Sequence, residues 1–499
     1  VGGHCEPGVE SAPTKGEEPL MVDPRPKKKS GRKRTLQVRA GKQATMADRV
    51  SDLLWAGQHS RAIELATTAL AVPGLGIGNR LDLLDLRAES FIAVGALAQA
   101  RADADAMVEL ANRGRKAAFQ AQAGSRLALV QMRMGEFKAA VATSNAALNA
   151  ARQSKQKLLE AKAAFRVAEA YLRSRGNAEQ GVRYARLAEK LFHALRRPAD
   201  EGRALWVMAA IRNRQGRAAE ADQAASAALA LCRQAGDLYG AGNALNVLCF
   251  NQPDLALQLK LAHQALADFE GAGYLERQGV VTGNLGIAYS HLGLYRRARR
   301  LMLTADAIHR RAGSRSSGTA LGELAEVEIA IGHVDGARQC ISAMVETTEI
   351  DGDALVFAGV PIAQGRLALR EGDAAAALRY FERAAELSRK GDFVSNQINA
   401  LTGMGQANLA LRALRPALAA TRHATELHRA RDLAALDGMS APELWWVHAE
   451  ALLANKQTAA REALQRAYEF MLRGSASLSD EGLRRNYLNK TEAHRQIVR

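Results

Sequence analysis

The stretch GNLGIAYSHLGLYRRARRLML, Gly283 to Leu303, joins two amphipathic segments through one glycine, Gly293. Before it, Gly286 and Tyr289 stand one helical turn apart; after it, Ala298 sits at the fifth position. This reads as a helix, a stop and a second helix. Glycine takes the positive φ that ends the first, and a small residue in the second lets the pair close.

The layout returns. LVQMRMGEFKAAVATSNAAL surrounds Gly135, AYLRSRGNAEQGVRYARLAEKL surrounds Gly176 and LALREGDAAAALRYFERAAEL surrounds Gly372. Turns fall at Gly57, Gly95, Gly135, Gly176 and Gly216, weakly near Pro253, then at Gly293, Gly332, Gly372, Arg412 and Asn455. Ala62, Ala100, Ala140, Ala221, Ala298, Ala337 and Ala377 follow their turns at nearly one offset. Intervals of about 40 residues carry eleven units from Met46 to Gly474. A lone hairpin cannot bury both sides of its helices, so such units stack. The expected fold is all-α, a right-handed α-solenoid of about eleven helical hairpins.

Composition agrees. Of 499 residues 48% are hydrophobic and only 5% aromatic, which favours helices packed through small side chains over β-rich folds. No apolar run reaches the roughly 18 residues of a membrane span, and a cytoplasmic protein is expected. Cys5, Cys232, Cys249 and Cys340 lack the spacing of a zinc site or disulfide framework, and the last three read as reduced core thiols. The formal charge of +16 calls for an acidic protein or a nucleic acid as partner.

Residues 1–45 differ from the rest. They carry five prolines and the run KKKSGRKR, Lys27 to Arg34, and read as a disordered basic tail. Asn251 to Asp254, with Pro253, stands where other units have glycine, so two subarrays, 46–237 and 238–474, are expected to meet at a bend. Residues 475–499 leave the repeat and read as a capping or junction helix.

The small residue, aromatic, turn glycine, aromatic and alanine at Gly286, Tyr289, Gly293, Tyr295 and Ala298 resemble the tetratricopeptide repeat, although the period exceeds that family's usual spacing. The resemblance implies longer helices and a concave wall built by first-helix positions. Counted back from each turn, those are Arg133, Arg166, Arg173, Arg203, Trp206, Asn213, Arg214, His291, Arg366 and Arg370. Arginine suits carboxylates or phosphates, so the wall is expected to take an acidic peptide or protein surface. LRRNYLNKTEAHRQIV, Leu483 to Val498, is similar to the junction that follows helical repeats in large bacterial signalling proteins with GAF, histidine-kinase or nucleotide-cyclase domains. That similarity implies a sensory or docking arm for signal transduction.

No catalytic residue, metal ligand or cofactor is expected. GMGQAN, Gly403 to Asn408, has no strand before it and reads as packing. His423 and His428 in HATELH are five apart, unlike a metal pair, and read as surface or rim. Asp103, Asp105, Glu220 and Asp222 read as solvated. The other functional reading is a nucleic-acid binder using the basic tail and the arginine wall; the array lacks aromatics interleaved with basic residues for base stacking, which favours a protein partner.

Overall fold

The computed structural model describes residues 45–498 apart from 175, 253, 314–317, 352, 353, 434, 435 and 437. The tail with Lys27–Arg34, Cys5 and Pro253 therefore lie outside the described residues. Thr45–Arg499 is one compact unit.

Eleven hairpins follow one another, with no strand among the described residues. The first pairs α1 (Met46–Trp55) with α2 (His59–Leu70), the second α3 (Ile77–Val94) with α4 (Leu97–Gly114), and the third α5 (Ala117–Arg133) with α6 (Phe137–Gln153). Next come α7 (Lys157–Arg173) with α8 (Ala178–Ala194), α9 (Pro198–Arg214) with α10 (Ala218–Ala235), and α11 (Leu238–Phe250) with α12 (Leu255–Ala272). The seventh hairpin is α13 (Leu275–His291) with α14 (Tyr295–Arg311), and the eighth α15 (Gly318–Ile331) with α16 (Val334–Asp351). The last three are α17 (Ala354–Glu371) with α18 (Ala374–Lys390), α19 (Val394–Ala410) with α20 (Leu414–Arg429), and α21 (Ala441–Ala454) with α22 (Ala460–Ala476). Two short helices, α23 (Glu481–Lys490) and α24 (Glu492–Val498), follow. Packing runs on across residue 237, where α10 meets α11.

The two helices of a hairpin bury differently. In α18 only Ala377, Phe381, Ala384 and Ser388 are buried, a single stripe at helical spacing, whereas α19 buries residues on several faces from Ile398 to Asn408. First helices are sandwiched between neighbours; second helices form an outer layer. Gly286 shows why small residues recur, since a Cβ there would run into Met302 of the partner helix. Tyr289 and Ala298 are buried beside it, and Arg297 stacks over the Tyr289 ring at 4.0 Å.

The chain also winds back onto itself. The tip of the first hairpin, at Gly57, lies against the connection between the sixth and seventh, where His59 Nε2 is 2.8 Å from the Ala272 carbonyl oxygen. The second tip, Gly95, meets Ala312 between the seventh and eighth, and the seventh tip, Gly293, meets Lys490 and Thr491 between α23 and α24. Successive coils of the superhelix thus touch tip to connection.

Most turn glycines have positive φ, among them Gly57, Gly95, Gly135, Gly216, Gly293, Gly332 and Gly372. Gly176 does not; there Asn177 caps α8 by accepting from the Gln180 backbone N–H. One acid and one histidine also differ from expectation. Asp103 is buried and clamped by Arg87 at 2.6 and 2.9 Å rather than solvated, and His428 is buried, accepting the Trp445 indole N–H at 3.1 Å. Cys232, Cys249 and Cys340 are free, buried thiols as expected.

Candidate functional site

Wherever the coils meet, the expected wall arginines are engaged by the chain's own acids. Arg133 on α5 donates to Glu276 of α13 at 2.9 Å and to the Tyr239 hydroxyl at 3.1 Å, and lies 3.7 Å from Glu169. Arg166 holds Glu169 from one turn away. Arg203 grips Asp237 through two bonds of 2.6 and 2.8 Å, with its guanidinium over the rings of Trp55 and Tyr239. Arg126 bridges Asp85 and Glu89, and Glu89 accepts the Tyr274 hydroxyl at 2.6 Å.

Burial alone would raise the Glu89 carboxyl, but Arg126 and the Tyr274 bond outweigh it and hold it far below the usual carboxylate range. Burial likewise opposes ionisation of Glu169 and Glu276; Arg166, Arg133 and Arg173 override it at Glu169, and Arg133 and Arg173 at Glu276. The result is a desolvated ionic seam joining the first coil to the second, with its charges spent internally.

This corrects the picture of an open arginine wall. Trp206 is 3% exposed and packs in a core with Val182, Val207 and Ile211. Asn213 is half-buried, and exposed Arg214 donates to the Leu172 carbonyl. Arg366 bonds Glu326 at 3.0 Å and Asn399 at 2.9 Å. His291 is exposed on one side, and the protein packed around its ring lowers its pKa by desolvation. Arg370 is exposed at the eighth hairpin tip, with Nη2 facing Gly332.

Two features remain open. The first is a cavity of about 740 Å³ beside the seam. Leu97, Met132, Met134 and Phe137 of the first coil face Phe250, Ile287, Met302 and Leu324 of the second across it, and Arg133, Arg173, Glu276, Asp306 and His309 supply its polar groups. It opens where the coils part: the third tip, Gly135, lines it and has no atom within 4 Å of where a Cβ would stand.

The second is the tip edge of hairpins eight to eleven. Ile331, Leu411, Leu414 and Leu453 are exposed at these tips, Leu453 at 61%. Arg370, Arg412, Arg415 and Lys456 are exposed between them. Arg412 and Lys456 adopt the left-handed φ that other tips reserve for glycine. A tip covered by the next coil has no room for a side chain, whereas an uncovered one does. Those two non-glycine turns are the sequence signal for this edge. No group of metal-binding side chains occurs among the described residues.

No protein-family profile and no curated protein matches the chain. Among solved structures it is similar to a Rap protein complexed with competence and sporulation factor, at 14% identity over 77% of this chain and 96% of that one, with a TM-score of 0.40. It is also similar to apo RapI, at 12% identity over 70% and 97% with a TM-score of 0.44. Yeast Tom70 follows at 13% identity over 90% and 95%, with a TM-score of 0.36. At such scores nothing about ligand or partner passes from those proteins to this one.

Proposed function

We propose that this chain is a non-enzymatic protein-interaction scaffold whose docking surface is the open tip edge of its last four hairpins. The reading rests on exposed leucine standing beside exposed arginine or lysine at the tenth and eleventh tips, whereas the first, second and seventh tips are covered by the chain's own next coil. Exposed apolar side chains flanked by cations suit an acidic partner face that brings apolar side chains. The acidic partner expected for the arginine wall is thereby moved to residues whose charges are available. The likeness of Leu483–Val498 to signalling junctions supports a docking arm in a cytoplasmic regulatory protein as its setting.

A photo-crosslinking residue at position 453 or 414 tests this in cells, with position 195, an exposed leucine elsewhere, as control. The expected result is one protein captured from both tip positions and not from 195. Its affinity for the purified chain should fall about tenfold or more with Leu453→Asp or Arg415→Glu, since both sites are exposed and the fold is untouched. Tight oligonucleotide binding with a steep salt slope, surviving removal of residues 1–45, would replace this reading with the nucleic-acid one.

A further inference from the structure

We propose that the cavity between the coils binds a small amphipathic carboxylate, an apolar chain ending in one carboxyl group, with Arg173 receiving the carboxylate. Its volume of about 740 Å³ falls in the range of roughly 300–1,000 Å³ typical of small-molecule sites. Its walls are mainly apolar, and three of the lining residues, Met132, Met134 and Met302, are methionines able to conform to a flexible chain.

The polar groups are unevenly matched. Asp306 is paired with Arg310 at 2.6 Å, outside the lining, and Glu276 gives its short bond to Arg133. Arg173 is left 3.9 Å from the nearest Glu276 oxygen, and its Nη2 is buried without a hydrogen-bond partner. Around Arg133, Arg166 and Arg173 lie the carboxylates of Glu169 and Glu276, and Arg166 also faces the charge of Glu89. Burial lowers the His309 pKa against the pull of Glu276 and Asp306. An under-bonded guanidinium in a desolvated corner costs free energy that one ligand carboxylate would recover.

The apolar remainder has its own place. Gly283 of α13 lines the cavity, and a Cβ there would meet only Ala305, at 3.7 Å, so this wall is open along α13. Because the lining comes from both coils, an occupant would bridge them and stiffen the superhelix at the point where it parts.

Calorimetric titration of the full chain with decanoate and with decanol tests the proposal. Decanoate should bind about tenfold or more tightly than decanol, the difference being one charge-assisted contact. Arg173→Met should bring the two ligands to equal affinity, and Gly283→Leu, which leaves every charge in place and favours the helix, should abolish both. Acetylated dileucine as free acid and as amide separates the sources: preference for the free acid over decanoate assigns the carboxylate to a peptide end, and the reverse to a free acyl chain. Equal binding of decanoate and decanol, no binding of any carboxylate, or an Arg173→Met protein that folds and keeps the preference would overturn it. Crosslinking at the tip edge is independent of all these outcomes.

Discussion

Glu326 pairs with Arg366 at 3.0 Å and also faces the like charges of Glu323 and Glu443. Burial raises its carboxyl to about 7, with Glu323 and Glu443 adding to the rise and the Arg366 guanidinium opposing it. An unfolded glutamate titrates near about 4.3, so between that value and about 7 the folded chain keeps a proton that the unfolded chain has released. The stabilisation is therefore present below that window and lost as pH rises through it. Glu326→Gln removes the titrating proton while keeping the shape. Melting temperature should fall between pH 5 and pH 8 by a smaller amount in the variant than in the parent; equal falls would mean that Glu326 ionises freely. Nothing in its local sequence marks this residue. Its environment is made by Arg366 forty positions later and Glu443 further still, and neighbours at that range leave no trace in a helical repeat.

Hairpin tips show which parts of an element the sequence discloses. A turn glycine announces the helix end, and ten of the eleven predicted turns coincide with breaks described between the paired helices; Pro253 itself lies outside the described residues. What the glycine faces is a separate matter. Gly95 and Gly135 have nearly the same φ, 84° and 82°, but a Cβ on Gly95 would overlap the Ala312 backbone, while one on Gly135 would meet nothing within 4 Å. Gly135→Ala should cost only the left-handed strain, about 1–2 kcal/mol. Gly95→Ala carries the same strain plus a backbone collision that no rotamer relieves. Its melting temperature should lie clearly below that of Gly135→Ala; equal melting would show that the coils do not touch at this tip. The arginine wall misled for a related reason. Counting back from each turn located Arg133 and Arg203 on the correct helices, yet Glu276 and Asp237, which consume their charge, belong to other repeats. A one-dimensional reading lists the charges of each unit and cannot pair them across coils.

At the scale of the molecule, periodicity disclosed the solenoid but not its closure, because the contacts that close it join residues some two hundred positions apart. The C-terminal helices are the clearest case. Residues 475–499 read in the sequence as a single capping or junction helix; two short helices, α23 and α24, stand there, and their Tyr487 and Ile497 enter the large core of the second half. Their other neighbour was not legible: Lys490 and Thr491 rest on the Gly293 tip, tying the end of the chain to the seventh hairpin. A cap that serves only its own end would stabilise α21 and α22 alone. One that clasps the preceding coil should also stabilise α13 and α14. Deleting the residues after Leu478 separates the two, with hydrogen exchange as the measure. Protection should fall in α21–α22 and also across the tip between α13 and α14, while α3 to α9 stay as in the parent chain. Loss confined to α21–α22 would reduce the C-terminal helices to a simple cap and leave the clasp without effect on stability.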